Sequence, residues 1–384
     1  MKKRLITTLL ACALVPVVSN VQANDNDPRA REAGIAPGIY QPGEFNAITD
    51  VAGVLVGQVS LIEGNNIRTG VTAIVLHSNN VFQNKVPAGF SQGNGFGKMM
   101  GTTQIIELGE IESPIVLTNT LSVPEAAAGV IEWTLQQPGN ERVRSVNAIV
   151  GETNDGSIND IRARAVRPQH AIEAIQNARS GPVEEGSVGA GMGTVAFGWK
   201  GGIGTSSRVL PESDGGFTVG VLVQTNYGGE LMIMGTPISP DALAAIEPIM
   251  NAPIATATSP DGSVMIVIAT DAPLSDRNLE RLATRAFLGI GRTGSMMSNG
   301  SGDYAVAFST AESVRRTPER RDNKHMVENW PNDNMTALFQ AVVEATEEAV
   351  YNSLFKASDV NGINNGQYPS LPVPAVLSLL RQQL

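Results

Sequence analysis

Ser263 lies where a flexible turn enters an apolar strand. Asp261-Gly262 ahead of it is a turn signal, because glycine tolerates positive φ and aspartate bonds to nearby backbone. Residues 264–269 then read Val-Met-Ile-Val-Ile-Ala, the unbroken pattern of a strand buried on both faces. A serine at this boundary is suited to act as a nucleophile at the edge of a core. The same residues also fit an ordinary turn serine, so other parts of the chain must distinguish the two.

The sequence does not offer the usual partners of a serine nucleophile. His77, His170 and His325 are far apart and form no His-x-x-x-His pair, so we predict no metal site. A Ser-His-Asp triad could be assembled in space, but no Gly-x-Ser-x-Gly elbow supports it. The single cysteine, Cys12, lies near the N-terminus, which excludes disulfides and thiol catalysis from the rest of the chain.

A serine enzyme can work without histidine when the nucleophile is the first residue of its chain. Its own α-amine has a reference pKa near 8 and can accept the hydroxyl proton at neutral pH. For Ser263 this chemistry requires cleavage of the Gly262–Ser263 bond. Residues 235–262 are rich in proline, alanine and threonine and are predicted to form a surface linker, which would expose that bond.

Five short sequence motifs occur along the chain in the same order as in a known family. They are Gly-Glu-Thr at 151–153, Thr-Asn-Tyr-Gly at 225–228, the run 261–274, Gly-Arg-Thr-Gly at 291–294 and Asn-Gly-Ser-Gly-Asp at 299–303. Together with 46–54 and 343–349, they make the chain resemble the self-processing L-aminopeptidase/D-amidase-esterase family, which includes the β-peptidyl aminopeptidases. The resemblance implies an α/β fold, a four-layer αββα sandwich of the N-terminal-nucleophile-like type that ornithine acetyltransferases share.

The resemblance also implies roles for four catalytic residues. Ser263 would be the nucleophile released by cleavage after Gly262, with its free amine as the general base. Ser301 and Asp303 would hydrogen-bond around that amine and hydroxyl. Asn226 would donate its side-chain N–H to the oxyanion, a donor type worth about 3–4 kcal/mol when removed.

The resemblance also implies which residues bind the substrate and how the processed chains assemble. Glu152 would pair with the ammonium of a small peptide, amide or ester that has a free N-terminus. Asn154 is expected to line the substrate site, at a position near which some relatives carry an aromatic residue. The resemblance implies one catalytic domain, residues 24–384, cleaved into 24–262 and 263–384. It implies no metal or organic cofactor, and a homotetramer of processed heterodimers.

The N-terminal residues are typical of a secretory signal peptide. A basic start, Met1 to Arg4, precedes an apolar run over 5–18, and small residues stand at 21–23. The run is too short to span a bilayer. We therefore predict removal of residues 1–23 and a periplasmic or secreted bacterial protein that does not insert in the membrane. The residues up to Cys12 loosely resemble a lipoprotein box, which leaves lipidation as an alternative.

Composition restricts the partners and the fold class. A net charge of −10 repels nucleic acid and anionic lipid and favours a small-molecule or peptide substrate. With 384 residues and 42% apolar content, the chain can bury a large core. Strands and helices alternate irregularly, which indicates α+β or layered α/β.

We predict strands at 69–77, 114–120, 146–150, 217–224 and 304–308, a glycine-rich loop at 93–98, and helices at 125–137, 170–178, 241–247, 275–289 and 335–355.

Two other functions remain compatible with the residues. The chain could be an acetyl-transferring relative of the ornithine acetyltransferases, although those use threonine as the nucleophile and work in the cytoplasm. It could also be an exported binding protein without catalytic activity, with the serines and Glu152 lining a cleft. The residues do not decide whether an L-α, D-α or β-amino acid is the preferred acyl group, since these differ by only about 1–3 kcal/mol of discrimination.

Overall fold

The structure is a computed structural model that describes residues 27–246 and 262–383. The predicted signal peptide, Cys12, Asp261 and most of the predicted linker lie outside these residues. The strands are β1 (Leu55–Glu63), β2 (Ile67–Val75), β3 (Val86–Gly95), β4 (Met99–Met100), β5 (Glu110–Ile111), β6 (Ile115–Asn119), β7 (Ile149–Thr153), β8 (Val195–Ala196), β9 (Trp199–Lys200), β10 (Ile203–Val209), β11 (Thr218–Asn226), β12 (Met232–Ile233), β13 (Thr236–Pro237), β14 (Ser263–Thr270), β15 (Gly302–Ser309), β16 (Val360–Asn361) and β17 (Gln367–Tyr368). The helices are α1 (Thr102–Leu108), α2 (Val123–Leu135), α3 (Pro168–Gln176), α4 (Pro240–Ile246), α5 (Asp276–Arg292), α6 (Pro318–Asp322), α7 (Thr336–Phe355) and α8 (Val373–Gln383).

Two large sheets form the centre of the molecule. One sheet has the strand order β1-β2-β6-β7-β4, and the other has the order β10-β11-β14-β15-β3-β5. Helices α2 and α3 pack on the outer face of the first sheet, and α5 and α7 pack on the outer face of the second. The layers therefore run helix, sheet, sheet, helix, which confirms the predicted four-layer αββα sandwich.

The side chains of β14 show why these layers form. Successive residues of a strand point to opposite faces of its sheet. Val264, Ile266 and Ile268 join the apolar cluster that contains the buried faces of α5 and α7. The residues between them, 265, 267 and 269, join the cluster that fills the space between the two sheets. A strand that is apolar at every position is thus the natural middle strand of a sheet covered on both faces.

Helix α5 follows the sequence closely. The Ser275 side chain caps it by accepting a hydrogen bond from the backbone N–H of Asn278. Its apolar residues follow the helical period and are buried, at Leu279, Leu282, Ala283, Ala286 and Phe287. Periodic burial of this stripe fixes which face of α5 packs on the second sheet.

A buried ionic cluster ties helix α7 to the edge of the second sheet. Arg208 of β10 is fully buried and reaches Glu348 at 2.8 Å and Glu344 at 3.3 Å, both on α7. Arg31 also contacts Glu348, at 2.7 Å. A buried charge without a partner costs several kcal/mol, so each of these groups depends on the others.

A predicted loop and a predicted strand differ from the observed elements, while most other predicted bounds lie within two or three residues of the observed ones. The loop predicted at 93–98 is wrong for 93–95, which belong to β3. Asn94 and Gly95 pair with the start of β15, and Gly93 stands at the irregularity in that pairing. The strand predicted at 146–150 instead spans Ile149–Thr153, because Glu152 and Thr153 pair in parallel with Thr118 and Asn119. Glycine-rich and polar strand residues carry no apolar signal, so the sequence pattern missed both.

Within the described ranges, no helix is both long enough and apolar enough to cross a bilayer.

Close packing of α7 on β10 gives a stability prediction. A Cβ at Gly204 would lie 1.9 Å from the Ala349 carbonyl oxygen, so Gly204→Ala should lower the free energy of unfolding by about 1–3 kcal/mol through overpacking. Chemical denaturation measures the change. The substitution and its control are both made in a Ser263→Ala background so that uncut chains are compared.

The matched control is Gly291→Ala, which lies in α5 where an added methyl group would meet open space. It should leave stability unchanged or raise it by up to about 1 kcal/mol. If both variants lose the same stability, close helix–sheet contact is not the reason for Gly204.

Candidate active site

Three strand ends meet at one edge of the second sheet. Strands β14 and β15 are parallel and start together, with Ser263 opposite Gly302. Strand β11 is antiparallel to β14 and ends there, with Asn226 opposite Ser263. The sheet topology therefore brings the predicted nucleophile, the predicted oxyanion donor and the Ser301–Asp303 segment to the same place.

The Ser263 hydroxyl lies beside a backbone donor that the sequence analysis did not single out. The N–H of Gly302 is 3.3 Å from Ser263 Oγ, and it also donates to the Gly262 carbonyl oxygen at 3.0 Å. The Ser263 hydroxyl and the carbonyl of the peptide bond before it thus share one N–H. Only the position of Gly302 between Ser301 and Asp303 could have indicated it, since a backbone donor has no side-chain signature.

Gly262 is required by the close approach of β11. A Cβ at this position would lie 2.2 Å from the Asn226 carbonyl oxygen and 2.4 Å from Tyr227 Cα. No other residue type fits without moving the backbone. The glycine that precedes Ser263 is therefore required by packing.

Asp303 is a buried carboxyl with one oxygen satisfied. Ser301 donates its hydroxyl to Asp303 Oδ1 at 2.7 Å, and both side chains are buried. Oδ2 has no hydrogen-bond partner among the residues that the structure describes. Burial raises the pKa of Asp303 to about 6, and the Ser301 hydrogen bond offsets part of this shift. An unpaired buried carboxylate oxygen next to the start of β14 is a natural acceptor for a cationic or N–H donor.

The Asn226 amide is held at both ends. Its Oδ1 accepts from the backbone N–H of Val195 at 3.0 Å, and its Nδ2 donates to the Asn154 carbonyl oxygen at 3.1 Å. An amide nitrogen has two hydrogens, so one remains for another acceptor. Asn154 takes part through its backbone, while its own Oδ1 accepts from Gly156 N–H and its side chain is exposed.

Glu152 reaches the site from the other sheet. It lies on β7 with 2% exposure. Its Oε1 accepts from the Lys98 backbone N–H at 3.0 Å, and its Oε2 accepts from the Thr120 hydroxyl. A Cβ at Gly97 would stand 3.4 Å from Glu152 Oε1 and 3.1 Å from Gly302 Cα, so Gly97 separates the carboxylate from the start of β15. The predicted site residues therefore come together from both sheets.

Two buried charged residues beside Asn226 were missed by sequence reasoning. Asp155 follows Asn154 and burial raises its pKa to about 7. Lys200 pairs with Val195 through β8 and β9, donates to the carbonyls of Gly191 and Gly201 at 2.7 Å, and has its pKa lowered by burial to about 7. Neither stands in a recognisable motif, because the burial that perturbs them is a property of the fold.

The histidines have structural contacts. His77 is buried with Nε2 2.7 Å from the Asn84 carbonyl oxygen, and His170 Nδ1 accepts from the Arg167 N–H at the start of α3. His325 is exposed. Within 27–246 and 262–383, no three His, Cys, Asp or Glu side chains form a group that could hold a metal ion.

Known proteins are similar to this chain in sequence and fold over most of its length. The β-peptidyl aminopeptidase BapA of Sphingosinicella microcystinivorans is 42% identical over 378 residues, which cover 94% of this chain and 93% of the relative. The L-aminopeptidase D-Ala-esterase/amidase of Ochrobactrum anthropi, described as a variant of the Ntn hydrolase fold, superposes with a TM-score of 0.83 at 35% identity. That match covers 93% of this chain and 99% of the other. A Burkholderia sp. β-aminopeptidase gives a TM-score of 0.82 at 37% identity, covering 92% and 99% of the two chains.

The family comparison agrees with the fold and with the resemblance carried by the five motifs. The chain matches the sequence model of peptidase family S58 over residues 46–368, which is most of its length. These findings favour an aminopeptidase over both a binding protein without catalytic activity and an acetyltransferase. The chain belongs to peptidase family S58 and is a serine aminopeptidase with an N-terminal-nucleophile hydrolase fold.

Proposed function

We propose that the chain cleaves itself between Gly262 and Ser263 and then acts as an N-terminal-nucleophile aminopeptidase. The observation that carries this proposal is the Gly302 N–H shared by Ser263 Oγ and the Gly262 carbonyl oxygen. Attack of Oγ on the Gly262 carbonyl carbon forms an ester and breaks the peptide C–N bond, which leaves Ser263 with a free amine. Water then hydrolyses the ester, giving the fragments 24–262 and 263–384.

The released amine acts as the general base, a role that histidine has in other serine enzymes. It accepts the Ser263 hydroxyl proton as Oγ attacks the carbonyl of the substrate's first residue, and the proton passes to the leaving amine. Water then hydrolyses the acyl-enzyme and releases the amino acid. The free Oδ2 of buried Asp303 supports a role in holding this amine, with Ser301 fixing the other carboxyl oxygen.

Two donors serve the oxyanion in this proposal. The second hydrogen of Asn226 Nδ2 and the N–H of Gly302 flank Ser263, one from β11 and one from β15. Donors fixed in place before the reaction stabilise the developing charge without reorganisation. Gly302 fills the place of a second oxyanion donor that the sequence alone did not identify.

The substrate is a small peptide, amide or ester with a free N-terminus. Its ammonium pairs with the buried carboxylate of Glu152, and Asn154 borders the acyl side of the site. The 42% identity to a β-peptidyl aminopeptidase supports an N-terminal β-amino acid as one accepted residue. Residues 1–23 direct export to the periplasm or beyond, and the processed heterodimers assemble as homotetramers. The signal-peptide pattern and the family resemblance support these last two points.

The Ser263→Ala variant tests the self-cleavage. Without the hydroxyl no ester can form, so this chain should stay undivided and lack aminopeptidase activity, while the parent chain yields two fragments. Intact-mass analysis and hydrolysis of alanyl p-nitroanilides measure both. An active parent protein that remains one chain, with the Gly262–Ser263 bond intact, would refute the mechanism.

Asn226→Asp tests the oxyanion donor. The substitution keeps an oxygen for the Val195 N–H but removes the donor, so kcat should fall about 100- to 1000-fold with a smaller change in KM. Steady-state kinetics on the fully processed variant measure the effect, and an unchanged thermal midpoint excludes misfolding. A kcat within about threefold of the parent would rule out Asn226 as an oxyanion donor.

Asp303 gives a pH prediction for the uncut Ser263→Ala chain. Its pKa is raised from 3.8 to about 6 by folding, so the folded state binds more protons than the unfolded state between these values. The Asp303 contribution to stability is therefore largest below pH 4 and declines as the pH rises towards 6. Urea denaturation across this range should show a smaller decline for Ser263→Ala/Asp303→Asn than for Ser263→Ala. Equal pH dependence in both chains would contradict the raised pKa.

A further inference from the structure

The segment that joins β3 to β4 holds a lysine against the buried carboxylate of Glu152. Lys98 Nζ is 3.6 Å from Glu152 Oε1, and the lysine side chain is 57% exposed while the glutamate side chain is 3% exposed. The carboxylate is thus fixed inside the protein and its cationic partner stands at the surface.

The backbone of this segment is anchored on both sides of Lys98. Phe96 N–H donates to the Ser301 carbonyl oxygen at 3.0 Å, and Met99 pairs with Gly151. The Lys98 N–H itself donates to Glu152 Oε1. These contacts hold the backbone whether or not the ammonium stays near the carboxylate, so the long side chain can move away alone.

A buried carboxylate is costly without a cation, and its neutral donors do not cancel its charge. Glu152 has two such donors, the Lys98 N–H and the Thr120 hydroxyl. In the proposed function the substrate ammonium comes to this same carboxylate. Two ammonium groups beside one carboxylate repel each other, so the substrate ammonium binds Glu152 less tightly while the Lys98 ammonium stays there.

We propose that Lys98 is a resident counter-ion of Glu152 that the substrate ammonium displaces, and that this competition sets substrate affinity. The inference rests on the proposed pairing of Glu152 with the substrate. Lys98 is a specificity-determining residue in this role and touches none of the reacting atoms. The Lys98 ammonium is largely exposed to solvent, which screens its charge, so removal of that charge should strengthen substrate binding only modestly.

The test compares Lys98→Met, Lys98→Arg and Glu152→Gln, with the double variant Lys98→Met/Glu152→Gln. KM and kcat are measured with L-alanyl and β-alanyl p-nitroanilide, together with the inhibition constant of propylamine, a cation that lacks the acyl carbonyl. Lys98→Met should lower KM and the inhibition constant about 2- to 5-fold at low salt, with kcat nearly unchanged. Lys98→Arg should keep the parent values, and Lys98→Met should have no effect in the Glu152→Gln background.

The matched control is Arg164→Met, which removes a half-exposed cation from a glutamate, Glu125, elsewhere on the surface. It should leave KM unchanged. If Lys98→Met leaves KM unchanged or raises it while Glu152→Gln raises KM strongly, Lys98 does not compete and this inference alone is wrong. If Glu152→Gln does not change KM, the proposed ammonium site is wrong and the inference falls with it.

Discussion

The parallel pairing of β14 with β15, beside antiparallel β11, is the constraint on which the site depends. Parallel strands start at the same edge of a sheet, and an antiparallel neighbour ends there. Ser263, Gly302 and Asn226 therefore meet although they come from three distant parts of the chain. The apolar cores on both faces hold these strands in register, because a slip by one residue would turn every buried side chain to the wrong face.

The site concentrates groups that are unfavourable to bury. Asp303 has an unpaired oxygen, Asp155 and Lys200 have pKa values moved to about 7 by burial, and Glu152 is a buried carboxylate of the other sheet. Perturbed groups of this kind cluster at functional sites. Arg208 is a useful contrast, because the two glutamates of α7 compensate its buried charge directly. At the site the compensation is less complete, because Asp303 Oδ2 has no partner among the described residues and the lysine beside Glu152 is largely exposed.

Much of the architecture could be predicted from local patterns. The apolar run of β14, the capped stripe of α5 and the long helix α7 are dense, periodic signals, and the structure has all three. The strands that carry polar or glycine residues were harder. Glu152 and Thr153 extend β7, and Gly93 to Gly95 belong to β3, because tertiary pairing with β6 and β15 outweighs their low strand propensity.

The sequence by itself determined which residues are chemically able to act: a serine after a glycine at a strand start, no usable histidine constellation, and motifs that resemble one family. Only the tertiary structure decided how they are arranged. The shared Gly302 N–H, the doubly anchored Asn226 and the Lys98–Glu152 pair all join segments remote in the chain. Such contacts depend on strand register and burial, and neither is written in the local order of residues.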